Sequence, residues 1–433
     1  MHVKFTGLWR HPDFLKLWTG ESISLFGSQI TALALPLTAA LVLKSSPAEM
    51  GFLATVEFLP FLLLSLFAGV WVDRLRRKPI LVIADIMRGI LLGSVPAAFF
   101  LGILSIELLY VVGFLTGIMT VFFDVAYQSY LPALVEREHL VEGNGKLEIS
   151  RSTAQISGPG LAGALVQVVS APIAILIDAV SYFVSAFFIG LIKKPEVKKI
   201  QSAAQKKSIW REIGEGLGIV FGNPVLRSIA ACTATSNLFS NILMVVFTLY
   251  MVNELGLEPA IIGLIFAISS IGSLLGAFGA NWTAQRFGLG WAIIGSTALS
   301  FVNLLIPLTG AASFTTIPFL IAAMFATALG GTVYNINQVS LRQAITPDRL
   351  QGRMNASMRF VVWGTIPVGS LLGGFLGEVI GLRSTLLIGA IGGSLSFLWV
   401  LFSPVRRLKE QPQPVEETGV DEPETLALTP QGQ

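Results

Sequence analysis

Gly69-Val-Trp-Val-Asp73-Arg74-Leu-Arg76-Arg77-Lys78 joins two apolar stretches through a knot of charge. The run before it, Met50 to Val72, is long enough to cross a bilayer, and a second such run begins at Ile80. The charged residues therefore occupy a loop with room only for a tight hairpin. Short loops rich in Lys and Arg stay inside the cell, so this one is expected in the cytoplasm. Asp73 stands at a helix end, where its carboxylate has backbone N–H groups or an arginine to bind instead of lipid. A positive-inside loop accounts for the arginines. It does not account for a glycine placed four residues before an Asp-Arg pair.

Composition carries the same message through the rest of the chain. Of 433 residues 53% are hydrophobic and 13% charged, with a mean hydropathy of +0.73. Soluble domains carry about 25% charged residues, so an integral membrane protein is expected. The basic pI reflects loop lysines and arginines, not a nucleic-acid partner. Cys232 stands alone, which excludes an internal disulfide and a cysteine metal cluster, and it reads as a packing residue. His2, His11 and His139 lack metal-ligand spacing. Residues 1–16 are too polar, and the run after them too long, for a cleavable signal peptide. No nucleophile–base pair and no phosphate-cradling loop is present, so neither an enzyme nor a cofactor is expected.

Twelve spans can be marked: 17–43, 48–72, 80–101, 108–131, 147–169, 171–192, 227–252, 259–283, 290–308, 316–338, 354–379 and 384–402. An even number puts both termini on one side. Loops sharing a side with Arg74–Lys78 are rich in Lys and Arg, whereas the opposite loops hold only Lys44 and Arg383. Both termini are thus expected in the cytoplasm. The chain divides into a first half, 1–192, and a lysine-rich linker, 193–224, ending in an amphipathic helix (Ile209, Ile213, Leu217, Val220). A second half, 225–403, and an acidic, disordered tail, 404–433, complete it. The second half echoes the first: Gln128, Leu131 and Leu140 recur 210 residues on as Gln338, Leu341 and Leu350.

Gly-x-x-x-Asp-Arg-x-x-Arg-Lys resembles the loop between the second and third helices of the major facilitator superfamily, with Arg76 where the family usually has glycine. The resemblance implies an all-α membrane protein: twelve transmembrane helices in two parallel-repeat six-helix halves, with the substrate site between them. It assigns Gly69, Asp73, Arg74, Arg77 and Lys78 to a conformational-switch motif. Ala154-x-x-x-Gly158-Pro159-x-x-Ala162-Gly163 is similar to the fifth-helix signature of the superfamily's antiporters, with alanine at two glycine positions, and favours export over import. Small residues packing on a neighbouring helix are the plain alternative for Gly158, Pro159 and Gly163.

Acids inside the spans mark candidate coupling sites. Glu21, Glu57, Asp85, Asp124 and Asp178 all lie in apolar runs, where an ionised residue costs about 2.5–3.5 kcal/mol. Arg88 is a ready partner for Asp85 and Asp124, giving structural ion pairs. Glu57 and Asp178 have no base nearby in sequence, which makes them the first proton-coupling candidates, with Glu21 and Asp124 next. A protonated, hydrogen-bonded core carboxyl is the plain alternative. Polar stripes at helical spacing mark the cavity. The first span offers Ser24, Ser28 and Gln29; the fourth, Thr120 and Tyr127; the seventh, Asn237 and Asn241; and the tenth, Tyr334 and Gln338. Interhelical hydrogen bonding is the competing account. With 29 Phe and 8 Trp and few deep cations, the substrate is expected to be bulky, amphiphilic and not strongly anionic, a point that Arg88, Arg151 and Arg359 soften.

Phe14-Leu-Lys-Leu-Trp18, Ser24-Leu-Phe-Gly27-Ser28, Asp85-x-x-Arg88 and Asp178-Ala-Val-Ser-Tyr182 resemble the bacterial subgroup of macrolide efflux pumps and the enterobactin exporter. That resemblance implies a monomeric antiporter of the bacterial inner membrane that exports a lipophilic small molecule in exchange for protons. The alternatives are a nutrient or lysolipid transporter of the same fold, or a non-transporting membrane sensor or scaffold.

Overall fold

The structure is a computed structural model that describes residues 7–196, 209–309 and 316–410. Among these residues all regular structure is helical. The first half comprises α1 (Pro12–Leu37), α2 (Pro47–Arg74), α3 (Arg77–Phe100), α4 (Ile106–Leu134), α5 (Leu140–Val169) and α6 (Ala171–Gly190). A linker helix, α7 (Ile209–Gly222), precedes α8 (Pro224–Leu249), α9 (Pro259–Phe287) and α10 (Leu289–Ala298), which runs on as 3-10 turns over Leu299–Leu308. Then come α11 (Thr316–Ala344), α12 (Asp348–Trp363), α13 (Thr365–Ile380), α14 (Leu382–Leu395) and α15 (Leu398–Leu401). α12 and α13 together form one span broken at Gly364. Among the described residues eleven helical runs are long and apolar enough to cross a membrane. The twelfth is α5, whose first turns carry Glu142, Lys146, Glu148 and Arg151.

Local chemistry sets the helix starts. Ser46 and Glu49 form a reciprocal capping box on α2, and Asn223 accepts from Val225 N (2.9 Å) and Leu226 N (3.3 Å) on α8. Pro12, Pro47, Pro224 and Pro259 occupy first-turn positions, where the missing N–H has no helical partner to lose. Several helices overrun the apolar runs: α2 reaches Arg74, α5 begins at Leu140, α9 ends at Phe287 and α11 at Ala344. Backbone hydrogen bonding continues past the bilayer edge, where polar side chains carry no penalty.

The repeat is structural as well as sequential. α1 and α8 both end in a π turn, Thr38–Val42 and Tyr250–Glu254. Lys44 (φ 52°) and Gly256 (φ 62°) follow them in the left-handed region. Ser170 (φ 82°) joins α5 to α6 just as Gly381 (φ 83°) joins α13 to α14.

Three hydrophobic cores fix the arrangement of the halves. One, at the end remote from the Arg74–Lys78 loop, mixes both halves: Leu35, Met50 and Ile175 with Phe247, Tyr250 and Ile262. At the basic end there are two separate cores. Phe14, Leu81, Phe123 and Leu134 belong to the first half, and Ile229, Ile293, Leu341 and Met354 to the second. The halves are therefore joined at the far end and parted at the basic end.

The basic end departs from expectation at several points. Glu196, just beyond α6, caps α3: its carboxylate accepts from Arg77 N (2.7 Å) and Lys78 N (3.3 Å) and pairs with the Arg77 guanidinium (3.3 Å). The side chains of Asp73 and Arg74 lie outside the described side chains. Lys78 Nζ donates to the carbonyls of Gly190 and Ile192, so the charged loop is tied to α6. Residues 404–410 are ordered where a disordered tail was expected: Pro404–Arg407 form a 3-10 turn, and Lys409 O and Leu408 O accept from Leu289 N and Gly290 N. Residues 411–433, the rest of that tail, and 197–208 of the linker lie outside the described residues. Within α7, Val220 is buried and Glu215 pairs with Arg353 of α12 at 2.8 Å, so the linker helix docks on the second half.

Candidate functional site

Between the halves lies a cavity of about 880 Å³. Gln29, Leu33 and Pro36 of α1 and Glu148, Ser152, Gln155 and Pro159 of α5 form one wall. The other wall is Met244 and Thr248 of α8, Phe266, Ser269, Ser270 and Ser273 of α9, and Met324, Thr327 and Asn335 of α11. Its lining is mostly apolar with dispersed hydroxyls and amides, the mix that holds an amphiphilic small molecule. A second cavity of about 660 Å³ adjoins it through Asn335, toward the basic end, between α2 and α11–α12.

Two crossings of the same design close the cavity at the far end. Gly163 of α5 meets Gly263 of α9 so closely that a Cβ on either would lie 2.7 Å from the other's Cα. Gly51 of α2 meets Gly374 of α13 in the same manner, at 2.7 and 2.8 Å. Thr55 Oγ1 also donates to Pro367 O at 3.2 Å across the second crossing. Each glycine has its repeat mate at the other crossing. Gly158, by contrast, faces Gln29 within the first half, and Pro159 lines the cavity.

A buried ionic cluster sits in the first half beside the cavity. Arg88 pairs with Asp85 one turn away and lies over two rings, Phe123 at 4.1 Å and Tyr182 at 4.2 Å. Desolvated cation–π contacts are worth about 2 kcal/mol each and offset part of the cost of taking the guanidinium out of water. Glu21, Asp124 and Asp178 all fall within electrostatic reach of Arg88. Asp178 thus has a cation that its own helix does not reveal. It is fully buried and accepts from Ser181 Oγ at 3.0 Å. Among the described residues Glu21 Oε2 and Arg88 Nε have no hydrogen-bond partner, while Ser185 stands beside Asp85 and Thr31 beside Asp178, so the cluster is incompletely paired. Asp124 is exposed and lies within reach of Arg88, Arg151 and, from the other half, Arg359. Glu57 stands apart: it packs against Gly113 of α4, and no charged group among the described residues acts on it.

The proposed cavity stripes divide. Gln29 lines the central cavity and Gln338 the second one. Tyr334 lines a smaller hydroxyl-rich hollow behind Met244 and Met324, its hydroxyl 2.6 Å from Thr233 Oγ1. Ser24, Ser28, Thr120, Tyr127, Asn237 and Asn241 line neither of the two cavities. Ser24 and Thr120 donate back to their own helices, and Ser28 meets Tyr182 OH at 2.9 Å. Asn237 donates to Val362 O (3.2 Å), Asn241 donates to Asn237 O, and Tyr127 stacks on Phe123. Two stripes were missed in the sequence although their signal was present: 148, 152, 155, 159 on α5 and 266, 270, 273, 277 on α9, each one face of a helix.

The family model described as Major Facilitator Superfamily matches residues 17–240 and 229–430. The multidrug efflux pump Tap of Mycolicibacterium fortuitum is 26% identical over 401 residues, covering 89% of this chain and 93% of that protein. Macrolide efflux protein A of Streptococcus pyogenes is 24% identical over 410 residues, covering 91% and 97%. In structure, the chain is similar to a bacterial homologue of the iron transporter ferroportin in an inward-facing state. The TM-score is 0.71 at 17% identity, over 92% of this chain and 99% of that one. The outward-facing state of a bacterial ferroportin homologue scores 0.56. Family match, twelve spans in two repeated halves and a cavity between them agree: the chain belongs to the major facilitator superfamily, a multi-pass membrane transporter and not an enzyme, with drug and macrolide efflux pumps among its distant relatives.

Proposed function

We propose that the chain exports a lipophilic or amphiphilic small molecule from the cytoplasm across the bacterial inner membrane in exchange for protons. The observation that carries this reading is the cavity parted at the basic end beside an incompletely paired acid cluster. Positive-inside charge puts that end, and both termini, in the cytoplasm. Substrate then enters from the inner side, and the halves rock about the two glycine crossings to release it outside. Burial disfavours an ionised carboxylate, which is what a group that takes up and gives back a proton requires. The relatives named as efflux pumps support the direction.

Everted membrane vesicles carrying the protein, given a panel of lipophilic dyes and an imposed pH gradient, test it. Dye accumulation that collapses when the gradient is discharged is the expected result. Accumulation indifferent to the gradient removes proton exchange, and movement only in the opposite sense removes export.

A further inference from the structure

The second cavity has a chemistry of its own. Its floor holds Arg342 of α11 and Arg359 of α12, and no acidic side chain is among its described lining residues. Arg342 Nε is buried without a partner, as is Gln338 Oε1 beside it. Neither arginine has a salt bridge among the described residues; Arg359 lies over the Trp363 ring at 5.2 Å. Asp124, on the other half, lies within electrostatic reach of Arg359. Around the arginines stand Phe58 and Phe61 of α2 and Phe360 and Trp363 of α12. Phe58, Phe360 and Trp363 are 44%, 50% and 44% exposed, so the aromatic rim opens outward between α2 and α12. The charges of the two halves are thus segregated: buried acids lie in the first half, and unpaired guanidiniums in the wall of the second.

We propose that this slot is the entry subsite for an anionic amphiphile, whose carboxylate or phosphate head binds Arg342 and Arg359 while its apolar body lies on the aromatic rim. The inference rests on the export reading and narrows its substrate class. It departs from the expectation of a substrate that is not strongly anionic, because Arg88 is consumed by Asp85 whereas Arg342 and Arg359 are not. An unpaired guanidinium in a low-dielectric slot binds an oxyanion by charge-assisted hydrogen bonds. The open rim between α2 and α12 gives a molecule dissolved in the inner leaflet a path to that head-group site without crossing water. Asn335, shared by both cavities, marks the passage onward.

The test uses two probes that differ only in charge, 11-(dansylamino)undecanoic acid and its methyl ester. Binding to purified full-length protein in detergent is read by dansyl fluorescence, and movement of each probe is read in proteoliposomes under a pH gradient. The wild type is expected to bind the acid at least about tenfold tighter than the ester, the effect of one or more charge-assisted hydrogen bonds. Arg342→Gln is expected to cut that preference several-fold by weakening the acid far more than the ester, since Arg359 remains, and Arg342→Lys to restore part of it. Equal affinities in the wild type, absence of binding, or equal weakening of both probes by Arg342→Gln overturns the proposal. Transport of the ester without preference for the acid overturns it while leaving the export reading in place. Charge-selective binding with neither probe moved overturns the transport reading, and the subsite's role in entry falls with it.

Discussion

Ser170 holds a backbone geometry that belongs to glycine. Its φ of 82° lies where a Cβ crowds the chain, its hydroxyl is buried without a partner, and its repeat mate is Gly381. Ser170→Gly is expected to stabilise the protein by about 1 kcal/mol, seen as a higher unfolding midpoint in detergent. A lower midpoint would show that the strain is relieved some other way. The acids invite a different experiment. Asp178→Asn and Glu57→Gln imitate permanent protonation, so substrate binding should persist while pH-driven transport stops. If the double variant still builds a substrate gradient from a proton gradient, coupling lies elsewhere, with Glu21 and Asp124 next. Partners within one turn could be read in advance, as for Asp85 and Arg88. The proximity of Asp178 to Arg88, or of Asp124 to Arg359, could not, because it depends on how separate helices rotate against one another.

Among elements, apolar runs located every span but misplaced their ends, since helices carry on into polar water-facing turns. The charged loop shows how a repeat can hide its logic. In the first half the amides opening α3 are capped by the carboxylate of Glu196; in the second those opening α10 are capped by the carbonyls of Leu408 and Lys409. One geometry is kept by two chemistries. Side-chain capping leaves a trace in the sequence and backbone capping leaves none. Gly163 was legible as a close-packing residue, while its partner Gly263 was not. Gly163→Leu should wedge α5 from α9 and shift the population toward a state open at the far end. In a Cys232→Ser background, Ala32→Cys should then react several-fold faster with an impermeant maleimide added outside cells. Unchanged labelling would mean that the crossing does not gate access.

At the scale of the molecule, the proposed transport cycle requires closure of the basic end to bring the first- and second-half cores together, and the loop around Asp73 is proposed to act in that step. Asp73→Asn is expected to slow transport at least several-fold without loss of insertion or folded yield, measured as initial export rate per folded protein. A wild-type rate would leave the loop with a topological role alone. The twofold architecture itself was visible as a 210-residue echo, but the state of the cavity was not. Periodicity reports what each helix buries, and says nothing of which end of the bundle is parted.

The distribution of the three cores has a consequence for the covalent chain. At the basic end each half keeps its own core, α7 is docked on the second half through Glu215 and Arg353, and the joint core lies at the opposite end. Among the described residues the halves are therefore held to each other by the far-end core, not through the linker helix. Cut between residues 196 and 209, the protein should behave as a heterodimer: residues 1–196 and 209–433, made as two polypeptides in one cell, are expected to co-purify and to transport. What the peptide connection supplies is proximity, a concentration effect that co-translational insertion side by side can replace. Failure of the two pieces to find each other would place a structural duty on the linker that the packing does not assign to it.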